Sequence, residues 1–299
     1  MLEEPRSGRL AAWGNALFAG EISPDEAALR IVGDDAVHRV AALPEGSRPQ
    51  DGAGGGPPHT PPQPPQPPEP DGAPPVGLTM ALGRLRTLGA AGLRVALPVP
   101  GHPLGLSGPP EFNSRALEAG EAVLASGAGL GLVPEVLAAG PAGDGVHPDD
   151  THVEVVWHCL PVREAPPADV PSLGEAEREL AEAMREATEL LTRLDVAGSG
   201  PASDAALAAY RARMEAGRQL LAPGYPPRAV RVLELAQRVG ALVAIAHARG
   251  GDGREHGGAV SASEIEVRAR ALRPVERTAR RAQVAAYNAY TEELERRGG

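Results

Sequence analysis

The chain has 299 residues, 42% of them hydrophobic but only 3% aromatic, enough for one large core or two ordinary ones built on Leu, Val and Ala. A net charge of −10 disfavours non-specific binding to nucleic acid or anionic membrane, and the lone cysteine, Cys159, permits no internal disulfide. All 29 basic residues are arginine, the mark of a high-GC genome, and the absence of lysine excludes Schiff-base chemistry, a Walker-A phosphate loop and a protein-kinase ATP site.

The opening Met1-Leu-Glu-Glu-Pro-Arg has acids where a signal peptide carries bases, and no apolar core follows. The most apolar window, 239–248, falls far short of the roughly 20 residues that span a bilayer. The expected location is the bacterial cytoplasm, with no membrane contact. Residues 1–43 read as a helical pair. Leu10, Trp13, Leu17 and Phe18 share one face, and Ser23-Pro24-Asp25-Glu26 supplies an N-cap, a first-position proline and a capping-box glutamate for the second helix. From 44 to 76 proline and glycine dominate, as in Pro-Pro-Gln-Pro-Pro-Gln-Pro-Pro at 61–68, which predicts a disordered polyproline II linker. Its Pro-x-x-Pro spacing lacks a flanking arginine to orient an SH3-type contact.

Residues 77–165 read as a small α/β unit. A helix is predicted over 78–88, a strand over 93–99, a helix from Asn113 or Ser114 to about Ala125, and a strand over 129–133, together a parallel crossover unit. The 152–160 stretch is the clearest strand: Val153, Val155, Trp157 and Cys159 alternate with His152, Glu154, Val156 and His158. Residues 170–299 read as a helical bundle. Ser172-Leu-Gly-Glu175 is a capping box opening a helix to about Leu194, and further helices are expected from Ser203 or Asp204, over 228–248, and from Ser261 onward with a kink at Pro274. Four long helices with short connections predict an up-and-down bundle, through which the chain could oligomerise.

Candidate sites concentrate after the first strand of the α/β unit, where a crowded Gly/Pro loop leads into a helix. Gly101, Gly105 and Gly108 permit close backbone approach, while His102, Ser107, Asn113 and Arg115 offer polar contacts to a small anionic ligand near the helix N-terminus. Neither the Gly-x-Gly-x-x-Gly dinucleotide fingerprint nor a nucleophile elbow is present, because Pro109 stands where the elbow needs its last glycine. His152 and Glu154, two apart on one strand face, are the candidate metal ligands. His158 lies about 20 Å from His152 along a strand and cannot share that ion. Cys159 shares its side with Val155 and Trp157 and reads as a buried apolar residue. In the final helix Arg273, Arg277 and Arg280 form a stripe, but Glu264, Glu266 and Glu276 interleave and point to a solvated face. Tyr287 and Tyr290 are expected to pack on the bundle.

The expected fold class is α+β, predominantly helical: a small α/β unit with a short sheet, then a C-terminal four-helix bundle. The expected function is non-catalytic binding of an unknown protein partner or a small ligand, with no cofactor. One alternative is a small-molecule hydrolase or transferase with His102 as base and an anion-binding loop at 100–115. The other is nucleic-acid binding through the Arg-rich final helix.

Overall fold

A computed structural model describes residues 4–45, 74–140, 152–163, 165–193, 221–248 and 262–298. Most of the Pro-rich stretch expected as a linker and the helix expected from Ser203 or Asp204 lie outside the described residues, as does the Ser261 cap.

The chain opens with α1 (Arg6–Ala19) and α2 (Pro24–Val32), followed by β1 (Val37–Ala41), β2 (Val76–Gly77), α3 (Leu78–Thr87) and β3 (Gly92–Ala96). Then come α4 (Pro110–Ala119), β4 (Ala122–Ser126), β5 (Leu130–Ala139) and β6 (His152–Pro161). Three long helices follow: α5 (Leu173–Arg193), α6 (Pro227–Ala248) and α7 (Ala262–Gly298). The local cap signals operate as the sequence implies. Ser23 Oγ accepts the Glu26 N–H at 3.2 Å, and Ser172 and Glu175 exchange bonds at both ends of their box.

The fold class departs from the expected one. A single six-stranded mixed sheet, in the order β2-β1-β6-β5-β4-β3, replaces the short sheet of a small α/β unit. Only β1 and β6 run parallel; every other neighbouring pair is antiparallel. The expected crossover fails because β3 and β4 pair antiparallel, Gly92 against Ser126 and Ala96 against Ala122. A connection of that length can return a strand in either sense, so sequence order alone does not fix direction. The helix expected to reach Ala125 stops at Ala119, where Gly120 enters the left-handed region at φ 74°, and the next residues become β4. Residues 37–41, given to the helical pair by sequence, join the sheet beside β6.

Nor do the described helices show a four-helix bundle. Among the described residues three pack together, α5, α6 and α7, and α7 also lies against β3 and α1. The strand alternation explains the layering. Leu93, Val95, Val123, Ala125, Leu130 and Leu132 face the main core with α1 and the C-terminal helices. Ala96, Ala122, Leu124 and Val133 face the opposite side, under Phe112 and Ala116 of α4.

The β3 edge is closed by side chains. Asn15 of α1 accepts the Leu93 N–H at 2.7 Å and donates to the Leu93 carbonyl at 3.0 Å. Asn288 of α7 does the same for Val95, at 2.7 and 3.1 Å, and Thr291 Oγ1 adds a bond to the Leu93 carbonyl at 3.1 Å. Two carboxamides therefore stand in for a neighbouring strand. Gly14 makes the approach possible, since a Cβ there would lie 2.5 Å from Leu93 Cδ1.

Candidate functional site

The loop after β3 is built from two consecutive tight turns. Val99 and His102 exchange backbone hydrogen bonds at 3.0 and 2.8 Å around Pro100 and Gly101, whose φ is 83°. Proline followed by a glycine at positive φ is the type II arrangement. Leu106 then donates to the Pro103 carbonyl at 3.1 Å across Leu104 and Gly105, both at positive φ (42° and 101°), as a type I′ turn requires. Leucine tolerates that conformation poorly. It is held there because its side chain is fully buried in the main core and its carbonyl accepts the Leu97 N–H at 3.0 Å.

Gly105 fits where no other residue does. A Cβ would sit 2.9 Å from the Val95 carbonyl oxygen and 3.1 Å from Ala96 Cα. Its N–H donates to the Ala168 carbonyl at 2.8 Å, so this amide is not offered to a ligand. Gly108 and Gly131 form a slot for Phe112, fully buried, with hypothetical Cβ atoms 2.5 and 2.4 Å from its ring. Phe112 anchors α4, whose start is set by Pro109 and Pro110. The helix therefore begins ahead of Asn113 and Ser114, the two expected caps, and neither caps it.

Between the two turns and α4 lies an open groove of about 480 Å³. Pro98, Val99, Pro103, Leu106, Pro110 and Leu117 supply its apolar surface, and His102, Asn113 and Ser114 its polar atoms, beside Gly101. His102 Nδ1 and Asn113 Oδ1 are both buried, and neither has a hydrogen-bond partner among the described residues. Folded proteins leave few buried polar atoms in that condition.

Of the loop residues singled out by sequence, the structure thus brings Gly101, His102 and Asn113 to one groove. Gly105 and Gly108 shape the loop from behind, and half-buried Ser107 does not line the groove. Arg115 is exposed on α4 and pairs with Glu111 at 3.5 Å, and among the described residues no arginine lines the groove. Leu106, Leu117 and the three prolines were not foreseen as lining. An apolar Leu117 on the exposed side of a short helix was the available signal.

The remaining candidates sit elsewhere. Glu154 pairs with Arg39 at 3.4 Å and His152 is exposed at the start of β6. Among the described residues no group of three or more His, Cys, Asp or Glu side chains is placed to hold a metal ion. Burial pushes the Cys159 thiol up to about 11, which keeps it protonated. Arg277 reaches Asp169 at 3.5 Å, while Arg281 bonds Glu179 at 2.6 Å and Asp169 at 3.4 Å, so part of the arginine face is engaged inside the fold. Tyr287 and Tyr290 are buried in the core.

One polar cluster escaped sequence reading. Asp35 accepts from Arg6 Nε and Nη2 at 3.0 and 2.7 Å, from Arg9 at 2.6 Å and from His38 Nε2 at 3.0 Å, and Trp157 Nε1 donates to His38 Nδ1 at 3.3 Å. Burial alone would raise the Asp35 carboxyl, but the His38 bond and the two guanidiniums reverse this and hold it well below its usual 3.8. With both His38 nitrogens engaged, the cluster fastens α1 and the α2–β1 turn to the sheet and leaves no base to act on a guest.

Two family profiles match this sequence: Rv1486c-like protein, N-terminal domain, over residues 7–170, and Rv1486c-like protein, C-terminal domain, over residues 174–284. The uncharacterized protein Rv1486c of Mycobacterium tuberculosis is 34% identical over 221 residues, 71% of this chain and 74% of the relative. The uncharacterized protein MAV321 of Mycobacterium avium is 32% identical over 227 residues, 69% of this chain and 73% of its own. The uncharacterized protein ML1804 of Mycobacterium leprae is 31% identical over 207 residues, covering 66% and 67%. No solved structure matches the chain.

Proposed function

We propose that this chain, which belongs to the Rv1486c-like protein family, is a non-catalytic binding protein whose groove between the post-β3 loop and α4 takes a small, neutral molecule. The guest has an apolar body and at least one N–H or O–H donor. The observation that carries this reading is the pair of buried, partnerless atoms at one groove, His102 Nδ1 and Asn113 Oδ1. A turn of the Asn113 side chain, which lines the groove, would bring its buried Oδ1 to a donor on the guest, and the apolar surface from Pro98, Pro103, Leu106 and Leu117 suits a ring or short aliphatic body. The volume is within the range of small-molecule sites.

Neutrality follows from what is missing in the lining. Arg115 is turned to Glu111, and the Gly105 amide is committed to Ala168. Catalysis is disfavoured because, among the described residues, His102 Nδ1 has no carboxylate or hydroxyl within hydrogen-bond reach to orient the ring. The experiment is a thermal-shift screen of the full chain against matched pairs of neutral carboxamides and their carboxylates. The expected result is that carboxamides raise the melting temperature, carboxylates do not, and Asn113→Ala abolishes the response. Carboxylates as the better partner, or hits unaffected by Asn113→Ala and His102→Ala, would overturn the reading.

A further inference from the structure

The second turn of the groove loop is pinned from behind. Pro103 and Leu106, the ends of that turn, both line the groove. Between them Leu104 is anchored in the main core, and the Gly105 N–H donates to the Ala168 carbonyl at 2.8 Å. Among the described residues three non-glycines take a positive φ, and two of them, Leu104 and Asp169, flank this hydrogen bond in sequence, at 42° and 58°. That conformation is disfavoured for a residue with a Cβ and persists only where neighbours hold it. Burial holds Leu104. Asp169 is held by α7: Arg281 Nε lies 3.4 Å from both its backbone carbonyl and its Oδ1, and Arg277 Nη2 lies 3.5 Å from its Oδ2. Arg281 is itself fixed by Glu179 of α5, at 2.6 Å.

We propose that Arg281 is a positioning residue for the groove. By keeping Asp169 in the left-handed region it presents the Ala168 carbonyl to Gly105, and so sets the spacing of Pro103 and Leu106. The inference rests on the groove reading and adds that the C-terminal helices govern how well a guest fits. Arg281 lines no part of the groove, so its influence passes through the segment 165–172 between β6 and α5. A solvent-exposed ion pair contributes little to a fold. This one is shielded, with the Asp169 and Arg281 side chains only 22% and 23% exposed. The guanidinium also meets the carbonyl of the same residue, so it restrains the backbone as well as the carboxylate. By linkage, a guest that needs this spacing binds better while the segment is held, and in turn strengthens the hold.

The test is amide hydrogen exchange of the full chain by NMR, in Arg281→Ala and, as a control, in Arg228→Ala, which breaks the α6–α5 pair with Glu177. In Arg281→Ala the Gly105 amide should exchange about tenfold faster while the Leu93 amide, bonded to Asn15, is unchanged. Arg228→Ala should move neither. Affinity for benzamide, a ring bearing a neutral carboxamide, should fall about fivefold in Arg281→Ala. Glycine takes a positive φ without help, so in an Asp169→Gly background Arg281→Ala should change Gly105 exchange less than about twofold. That background still reports if Arg281→Ala alone proves unstable. Gly105 exchange unmoved, Gly105 and Leu93 rising together, the full effect persisting in Asp169→Gly, or benzamide bound equally by parent and variant would overturn the proposal. Failure of every neutral carboxamide to bind the parent would overturn the groove reading, whereas the exchange pattern, which needs no guest, decides the role of Arg281.

Discussion

Asn15 and Asn288 each devote a whole carboxamide to the backbone of one β3 residue, and both side chains are buried. Asn288→Ala leaves the Val95 N–H and carbonyl without partners, at about 1–3 kcal/mol for each stranded group. Denaturant unfolding should show a loss of about 2–5 kcal/mol. Asn288→Asp should not restore it, because a carboxylate accepts the N–H but cannot donate to the carbonyl and adds a buried charge. Groove residues should behave in the opposite way. Asn113 Oδ1 has no bond to lose, so Asn113→Leu is expected to leave unfolding within about 1 kcal/mol of the parent while removing fragment binding. Asp35 sets an acid-side dependence. Its carboxyl is depressed in the fold, so its contribution is present above the unfolded value of 3.8 and is lost as pH falls below it. Asp35→Asn should therefore flatten the fall in urea midpoint on the acid side of pH 5 and lower the midpoint at neutral pH. Glu121 works with the opposite sign. Burial raises its carboxyl despite the bond it accepts from the Ser7 N–H, so its favourable share is greatest below 4.5 and declines as pH rises. Most of these partnerships join residues far apart in the chain, Asn288 to Val95, Arg6 to Asp35 and Ser7 to Glu121, and so were not legible in sequence.

At the scale of the element, local signals were readable and pairing was not. Ser23, the Ser172–Glu175 box and the 152–160 alternation each act within a few residues, and each element stands close to where those residues put it. β4 was hidden because its alanines continue the composition of α4, and only Gly120 marks the change. β1 is five residues long and is fixed by β6, more than a hundred positions away. The Gly/Pro composition of the post-β3 loop is legible in sequence, but its lining depends on Leu104 being buried and on Gly105 reaching Ala168, which no local pattern announces. Two glycine variants separate these effects. Gly101→Ala puts a Cβ into open space at φ 83° and should cost about 1 kcal/mol. Gly105→Ala at φ 101° also drives that atom against the Val95 carbonyl and should cost about 2–4 kcal/mol, read by thermal or denaturant unfolding.

For the whole molecule, the sheet organises everything else. α1 and the C-terminal helices cover one face and close the β3 edge, α4 covers part of the other, and the groove opens where α4 and the loop fail to meet. Among the described residues no helix is long and apolar enough to cross a membrane. Cys159, buried and protonated, should resist thiol reagents until the chain unfolds. Amide-resolved NMR of the full chain titrated with small neutral carboxamides tests the groove reading most directly. Saturable shifts concentrated on the backbone of residues 97–117, and lost in Asn113→Ala, are the expected result. Saturable shifts elsewhere, or none with any neutral carboxamide, would contradict it.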